Sequence, residues 1–163
     1  MAVKLLAYAL LVEGDGYWRR LREMRSEALE LMEALGEFKP RLVGSVWRGI
    51  VKPGSDIDVE VDYADPEPIR RRLLEAGYRI LGEEAVEVPE PLRQGSLWRI
   101  RVETRSGRAA EVILKEHEWY LNPARCDIFG DPKKGLNPVE LRKILEEEPD
   151  KLFIPEEAWN GDR

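Results

Sequence analysis

Residues 42–63 read LVGSVWRGIVKPGSDIDVEVDY, and this stretch carries the clearest indication of the fold and of the chemistry expected of the chain. A short apolar strand over residues 41–44 ends at a Gly44-Ser45 pair, where glycine lets the backbone approach a ligand closely and serine adds a hydroxyl. Residues 46–51 are predicted to form a short helical turn, and the free amides at the start of such a turn attract anions. We therefore expect the Gly-Ser turn to bind phosphate.

A second strand follows, in which acidic and apolar residues alternate. Its acidic residues are Asp56, Asp58, Glu60 and Asp62, and its apolar residues are Ile57, Val59, Val61 and Tyr63. Because the side-chain period of a strand is two residues, the acids are predicted to share one face and the apolar groups the other. Neighbouring carboxylates repel one another, and a divalent cation is the usual way to neutralise them. Asp56 and Asp58 are nearest the Gly-Ser turn, so they are the expected metal ligands.

The spacing of these residues matches a known pattern. Gly44-Ser45, two residues, Arg48-Gly49, five residues and Ser55-Asp56-Ile57-Asp58 resemble the signature of the nucleotidyltransferase superfamily that includes DNA polymerase beta, and most closely that of its minimal members. The match covers only residues 42–63, but it combines several fixed spacings with a strand, turn and strand context, which makes it more specific than a lone glycine-rich loop. The resemblance implies transfer of a nucleotide from a nucleoside triphosphate to an acceptor hydroxyl, with release of pyrophosphate.

The resemblance also implies a third carboxylate on a neighbouring strand. Two β-rich runs, residues 97–104 and 108–115, are separated by a short turn containing Gly107, and they predict a hairpin. This hairpin resembles that of the archaeal CCA-adding enzymes, whose third acid begins a hydrophobic run in the second strand. Glu111 has that position here, as a metal ligand or a general base, although family members often have aspartate there. Glu103, in the opposing strand, is the alternative.

Nucleotidyl transfer depends mainly on positioning and on charge. The resemblance implies two magnesium (or manganese) ions held by Asp56, Asp58 and Glu111, because these cations prefer oxygen ligands. Gly44 and Ser45 would hold the β and γ phosphates.

Arg48 and Lys52 are further candidates for nucleotide binding, since both are cations close to the Gly-Ser turn. Each could equally form an ion pair with the acidic strand.

The remaining sequence predicts an α/β (α+β) protein, with a small mixed sheet and helices packed on one face. Apolar residues recur at helical spacing over residues 17–35, and a second helix is predicted over residues 68–76. Residues 78–81 predict a short strand and residues 82–96 an excursion from the sheet. Residues 1–163 are expected to form a single nucleotidyltransferase-like domain, with residues 117–163 a C-terminal extension packed on it. That extension contains a helix start at Asn137-Pro138, with Glu140 placed for a capping box.

Composition narrows the functional class. The net charge is −6, so the overall charge of the chain does not indicate a large nucleic-acid substrate. The lone Cys126 allows no intrachain disulfide, which fits a reducing, cytoplasmic location, and the lone His117 lacks the partners that a zinc site needs. The apolar N-terminal run over residues 3–12 is expected to be a packed helix or strand, and no run is long enough to span a membrane. Charged residues make up 36% of the chain, a balance typical of proteins from hot environments.

Two classes of function remain open. The favoured one is a nucleotidyltransferase that modifies a small molecule, a protein or RNA, because a chain of 163 residues has little room for a separate acceptor-binding domain. The alternative is a non-catalytic or partner-dependent binding module of the antitoxin type, since minimal nucleotidyltransferases are often paired with a helical partner protein. The sequence does not specify the base or the acceptor.

Overall fold

The computed structural model describes residues 2–156. The α-helices are α1 (Ala2–Glu13), α2 (Asp15–Ala34), α3 (Gly44–Arg48), α4 (Pro66–Glu75), α5 (His117–Leu121) and α6 (Pro138–Glu147). The strands are β1 (Arg41–Val43), β2 (Ile57–Val61), β3 (Arg79–Ala85), β4 (Ser96–Glu103) and β5 (Ala109–Lys115).

The strands form one five-stranded sheet in the order β1-β2-β5-β4-β3. β2 runs parallel to β5, and the other neighbouring strands are antiparallel. The sheet is therefore mixed, and with its helices it confirms the predicted α+β class. The central strand β5 and its neighbour β2 are the two strands from which carboxylates were predicted to meet.

One face of the sheet packs into the hydrophobic core and the other carries the charges. In β2 the apolar side chains of Ile57, Val59 and Val61 are buried, whereas the acids between them are only partly buried. The core also takes the apolar faces of α2 and α4, for example Leu21 and Ile69. This alternation confirms the predicted face assignment, and the helices pack on the apolar face.

Several elements differ in extent from the prediction. β3 continues to Ala85, beyond the predicted end at Leu81, because it pairs with β4 as far as Trp98 across a bulge between Ile80 and Gly82. The short helix α5 lies in a region that the sequence marked only as rich in turns. The capping box of α6 is present as predicted, with Asn137 and Glu140 each accepting from the other's backbone amide.

The N-terminal apolar run forms the helix α1. Within the described part of the chain, no helix combines the length and the apolar character needed to cross a membrane. The end of the predicted C-terminal extension, residues 157–163, lies outside the described residues.

Candidate active site

Asp58 lies directly against the Gly-Ser turn. Its strand β2 pairs with β1, so that Asp58 is opposite Val43, the residue before Gly44. A Cβ atom placed on Gly44 would lie 2.6 Å from Asp58 Oδ2, and the φ of Gly44 is +75°. Only glycine fits both the left-handed backbone and this close approach. The structure therefore brings together the turn and the aspartate that the sequence predicted to be neighbours.

Glu111 is next to Asp58 on the other side. In the parallel pairing of β2 with β5, Asp58 and Glu111 occupy the same register position. Paired residues of neighbouring strands point to the same face of a sheet, at a separation at which side chains interact. Three sequence-predicted elements, Gly44, Asp58 and Glu111, thus lie side by side across β1, β2 and β5.

Glu103 lies elsewhere. It ends β4 opposite Ala109, and its carboxylate faces Arg79 at 3.4 Å from the guanidinium. It also lines a cavity of about 810 Å³ at the hairpin end of the sheet, which includes none of the residues Asp56, Asp58 and Glu111. Of the two candidates for the third carboxylate, Glu111 is the one that the register places beside Asp58.

The acids further along this segment already have basic partners. Glu60 lies 2.9 Å from the Arg41 guanidinium and 3.6 Å from the Lys115 ammonium. Asp62 Oδ2 lies 2.8 Å from His117 Nδ1, so the lone histidine is committed to this contact. The acidic face is therefore divided, because Glu60 and Asp62 contact basic side chains whereas Asp58, near Gly44, contacts none within residues 2–156.

Asp58, like Glu111, enters no ion pair within the described part of the chain. Among the described residues, no Lys, Arg or His nitrogen lies within 4 Å of it. Burial, followed by the charges of Glu111, Asp56 and Glu60, raises the pKa of Asp58 from 3.8 to about 7. A buried carboxylate surrounded by other carboxylates is unfavourable when ionised, and a bound cation would relieve that cost.

Asp56 precedes β2, and Arg101 Nη2 lies 3.6 Å from its Oδ2. Among residues 2–156, no three His, Cys, Asp or Glu side chains form a group that could hold a metal ion as they stand. Asp58 nevertheless fits a divalent cation, because it is buried, lacks a protein cation and adjoins two further carboxylates. Glu111 occupies the same register position as Asp58, and Asp56 lies two residues before Asp58, on the same side of the segment.

Arg48 is buried, and among the described residues its ion-pair partner is Asp131 and not an acid of β2. Its buried guanidinium donates two hydrogen bonds to Asp131, at 2.8 and 2.6 Å, and one to the carbonyl of Phe153. This contact holds the pKa of Asp131 below its ordinary value. The structure thus uses Arg48 to attach the C-terminal segment to α3, a role that the sequence did not predict.

Lys52 is exposed and enters no ion pair among the described residues. It lines a cavity of about 430 Å³ that also includes Gly44, Ser45 and Arg48. The lining is mostly apolar, and the indole of Trp47 contributes a buried N–H that has no hydrogen-bond partner among residues 2–156. The Gly-Ser turn therefore adjoins a cleft of the volume that small-molecule sites use.

Helix α2 fixes the position of the Gly-Ser turn from beneath. The fully buried Arg25 donates to the carbonyls of Val46 and Trp47 at the end of α3, and burial lowers its pKa to about 10. The hydroxyl of Tyr17 donates to the carbonyl of Gly49 at 2.6 Å. These buried contacts hold α3, and with it Gly44, in one orientation relative to the sheet.

Sequence reasoning missed Arg99 and Arg101 of β4. Both lie on the charged face, and Arg101 is directly opposite Glu111. The signal was present, because two arginines separated by one residue in a predicted strand must share a face. Asp131 gave no comparable signal, since it lies in an irregular segment.

Similarity to known proteins extends over most of this chain. One structural neighbour comes from a study titled "Structural Basis for the Activity of a Cytoplasmic RNA Terminal U-transferase", with 12% sequence identity and a TM-score of 0.39. The similarity covers 72% of this chain and 38% of that one, so the present chain spans less than half of its neighbour's length. No match was found among curated proteins. The family model described as "Nucleotidyltransferase domain" matches residues 21–151, which is most of the chain. The chain therefore belongs to the nucleotidyltransferase domain family.

Proposed function

We propose that this protein is a metal-dependent nucleotidyltransferase, which transfers a nucleotide from a nucleoside triphosphate to an acceptor hydroxyl and releases pyrophosphate. The observation that carries the proposal is the position of Asp58. It is largely buried, lies against Gly44, shares a register position with Glu111 and, within residues 2–156, has no basic side chain in contact. An ordinary surface cluster of acids would not combine these features.

Asp56, Asp58 and Glu111 are the residues that would hold the cations, magnesium or manganese. When bound, two such ions would stabilise the attacking and leaving oxygens of an in-line displacement. The backbone of Gly44 and the hydroxyl of Ser45 would bind the β and γ phosphates, which the absence of a side chain at Gly44 leaves room for.

The transfer exchanges one bond at the α-phosphorus for another and moves one proton. The oxygen of the acceptor hydroxyl forms a bond to the α-phosphorus, while the bond between that phosphorus and the pyrophosphate oxygen breaks. Pyrophosphate leaves with the electron pair, and the proton of the hydroxyl passes to Glu111 as general base.

The two basic residues near the turn receive different roles. Lys52 is exposed beside Gly44 and Ser45, and we assign it to the terminal phosphate. Arg48 would have to leave Asp131 in order to bind phosphate, so its hydrogen bonds assign it to holding α3 and the C-terminal segment together. Its contribution to nucleotide binding is therefore indirect.

The test uses radiolabelled nucleoside triphosphates. The protein is incubated with each of the four, labelled at the α-phosphate, with magnesium or manganese and a mixture of RNA, protein and small hydroxyl acceptors. We expect pyrophosphate release and label transfer that require the metal and fall by at least a hundredfold in Asp56→Asn and Asp58→Asn.

Asp15→Asn removes an exposed carboxylate at the start of α2 and serves as the matched control, with activity unchanged. Label transfer that survives Asp58→Asn would contradict the proposal. A wild-type protein that binds no metal–triphosphate complex and releases no pyrophosphate, alone or with a helical partner protein, would favour the binding-module alternative.

A further inference from the structure

The charged face of the sheet continues beyond Glu111 onto β4. Arg99 and Arg101 lie there, and together with Glu111 they line a cavity of about 360 Å³ whose far wall, on β3, includes Glu83 and Glu84. Gly82 of β3 is the residue opposite Arg101, so no side chain stands on that side of it. The cavity lies on the side of the carboxylates away from the Gly-Ser turn, because the strand order is β1-β2-β5-β4-β3.

The two arginines are held only loosely. The side chain of Arg101 is 51% exposed, and its contact with Asp56, at 3.6 Å, is longer than a hydrogen bond. Arg99 is opposite the apolar Ile113 on β5 and opposite Glu84 on β3, and within residues 2–156 it forms no ion pair with Glu84. Both guanidinium groups therefore have donors to spare.

A bound cation would change the balance of charge on this face. The three carboxylates Asp56, Asp58 and Glu111 attract the two arginines, and a divalent ion competes for the same oxygens. Once the three carboxylates are neutralised by metal, Glu84 offsets one of the two arginines, while Glu83 is already paired with Arg70, so a net positive charge remains on this face. This charge attracts an anion, and the planar guanidinium groups of Arg99 and Arg101 match the oxygens of a phosphate group.

The geometry of the transfer indicates which anion would bind beside Arg99 and Arg101. In an in-line displacement, the attacking hydroxyl and the leaving pyrophosphate lie on opposite sides of the α-phosphorus. In the proposed function the pyrophosphate lies at Gly44 and Ser45, at the β1 side of Asp58. The acceptor hydroxyl must then approach from the β5 and β4 side, where Arg99 and Arg101 lie.

We propose, on the basis of that function, that Arg99 and Arg101 bind a phosphate group of the acceptor. The acceptor is accordingly a phosphate-bearing alcohol, either the 3′ end of a nucleic acid or a phosphorylated small molecule. Two arginines on alternate positions of one strand are about 6.6 Å apart along it, which spans a single phosphate or two successive ones. The net charge of −6 does not oppose this, because the basic groups are local.

The test measures acceptor binding separately from turnover. A short single-stranded RNA with a free 3′ hydroxyl and a fluorescent label at its other end is titrated with protein, and anisotropy is recorded with magnesium and an α,β-methylene nucleoside triphosphate present. Unlabelled ribose 5-phosphate and ribose are then added as competitors. We expect Arg99→Gln and Arg101→Gln each to weaken binding of the phosphate-bearing ligand about tenfold, as loss of a charge-assisted hydrogen bond does.

Arg105→Gln is the matched control, because Arg105 lies in the turn after β4, is 70% exposed and pairs with Glu30. It should leave binding unchanged. RNA that ribose 5-phosphate fails to displace identifies a nucleic-acid acceptor, whereas binding of ribose 5-phosphate itself, and not of ribose, identifies a small acceptor.

Binding that is equal in wild type, Arg99→Gln and Arg101→Gln would overturn the inference, as would wild-type protein that binds neither RNA nor ribose 5-phosphate. The thermal stabilisation by magnesium and triphosphate is measured on the same samples. If it persists while acceptor binding shows no dependence on the arginines, only this inference fails. If it is absent from wild type, the proposed function fails as well.

Discussion

Replacing Asp58 with asparagine is expected to stabilise the folded protein while removing its activity. Burial and neighbouring carboxylates raise the pKa of Asp58 from 3.8 to about 7. Each pKa unit corresponds to about 1.4 kcal/mol, so the ionised side chain costs the folded state about 4 kcal/mol above pH 7. Asparagine has nearly the same shape and no charge, although burying its amide offsets part of the gain.

The sign of the pH dependence follows from the direction of the shift. Because the pKa of Asp58 is higher in the folded state, the folded protein binds more protons than the unfolded chain between pH 3.8 and 7. The contribution of Asp58 to stability is therefore most favourable below pH 3.8 and is lost as the pH rises through 7. The advantage of Asp58→Asn should shrink by about 3 kcal/mol between pH 8 and pH 5.

The assay is urea-induced unfolding of wild type and Asp58→Asn at several pH values without divalent cations, with Asp127→Asn as an exposed-carboxylate control. Magnesium and a nucleoside triphosphate should then stabilise the wild type and leave Asp58→Asn unaffected. A variant that is less stable than wild type at pH 8, or whose advantage does not depend on pH, would show that the pKa of Asp58 is not raised in the folded protein.

The remaining predictions concern the neighbours of Asp58. Glu111→Gln should lower the pKa of Asp58, measured by carboxyl carbon NMR, because after burial the charge of Glu111 has the largest effect on that pKa, whereas Glu103→Gln should leave it unchanged. Equal shifts in the two variants would reject Glu111 as the third carboxylate. Gly44→Ala should destabilise the fold by about 1–3 kcal/mol and abolish triphosphate binding, because its Cβ meets the Asp58 carboxylate at 2.6 Å and its φ is positive. Gly54→Ala, with open space around its Cβ, should have little effect in thermal and binding assays, and a matching loss there would contradict the role of Gly44.

Local periodicity made much of the fold predictable from the sequence. The alternation of acids and apolar residues from Asp56 to Tyr63 is a strand signal that also specifies which face is buried, and β2 has that arrangement. The capping residues of α6, Asn137 and Glu140, act within four positions of one another, so they too could be identified without knowing the tertiary structure.

Contacts that depend on pairing between segments distant in the sequence were harder to predict. The choice between Glu111 and Glu103 depends on the register of β2 against β5, which no local pattern specifies. The bond between Arg48 and Asp131 joins α3 to an irregular segment 83 residues away. Arg101 could have been placed opposite Glu111 from the hairpin alone, whereas its proximity to Asp56 required the whole sheet.

We propose that Asp56, Asp58 and Glu111 hold divalent cations beside the Gly44 turn. Paramagnetic broadening of backbone amide NMR signals by a small amount of manganese, with a nucleoside triphosphate present, tests this site directly. We expect strong broadening at Gly44, Asp58 and Glu111, and its loss in Asp58→Asn. Broadening centred on other acids, such as Glu103, or spread evenly over the exposed carboxylates, would contradict the proposed cation site.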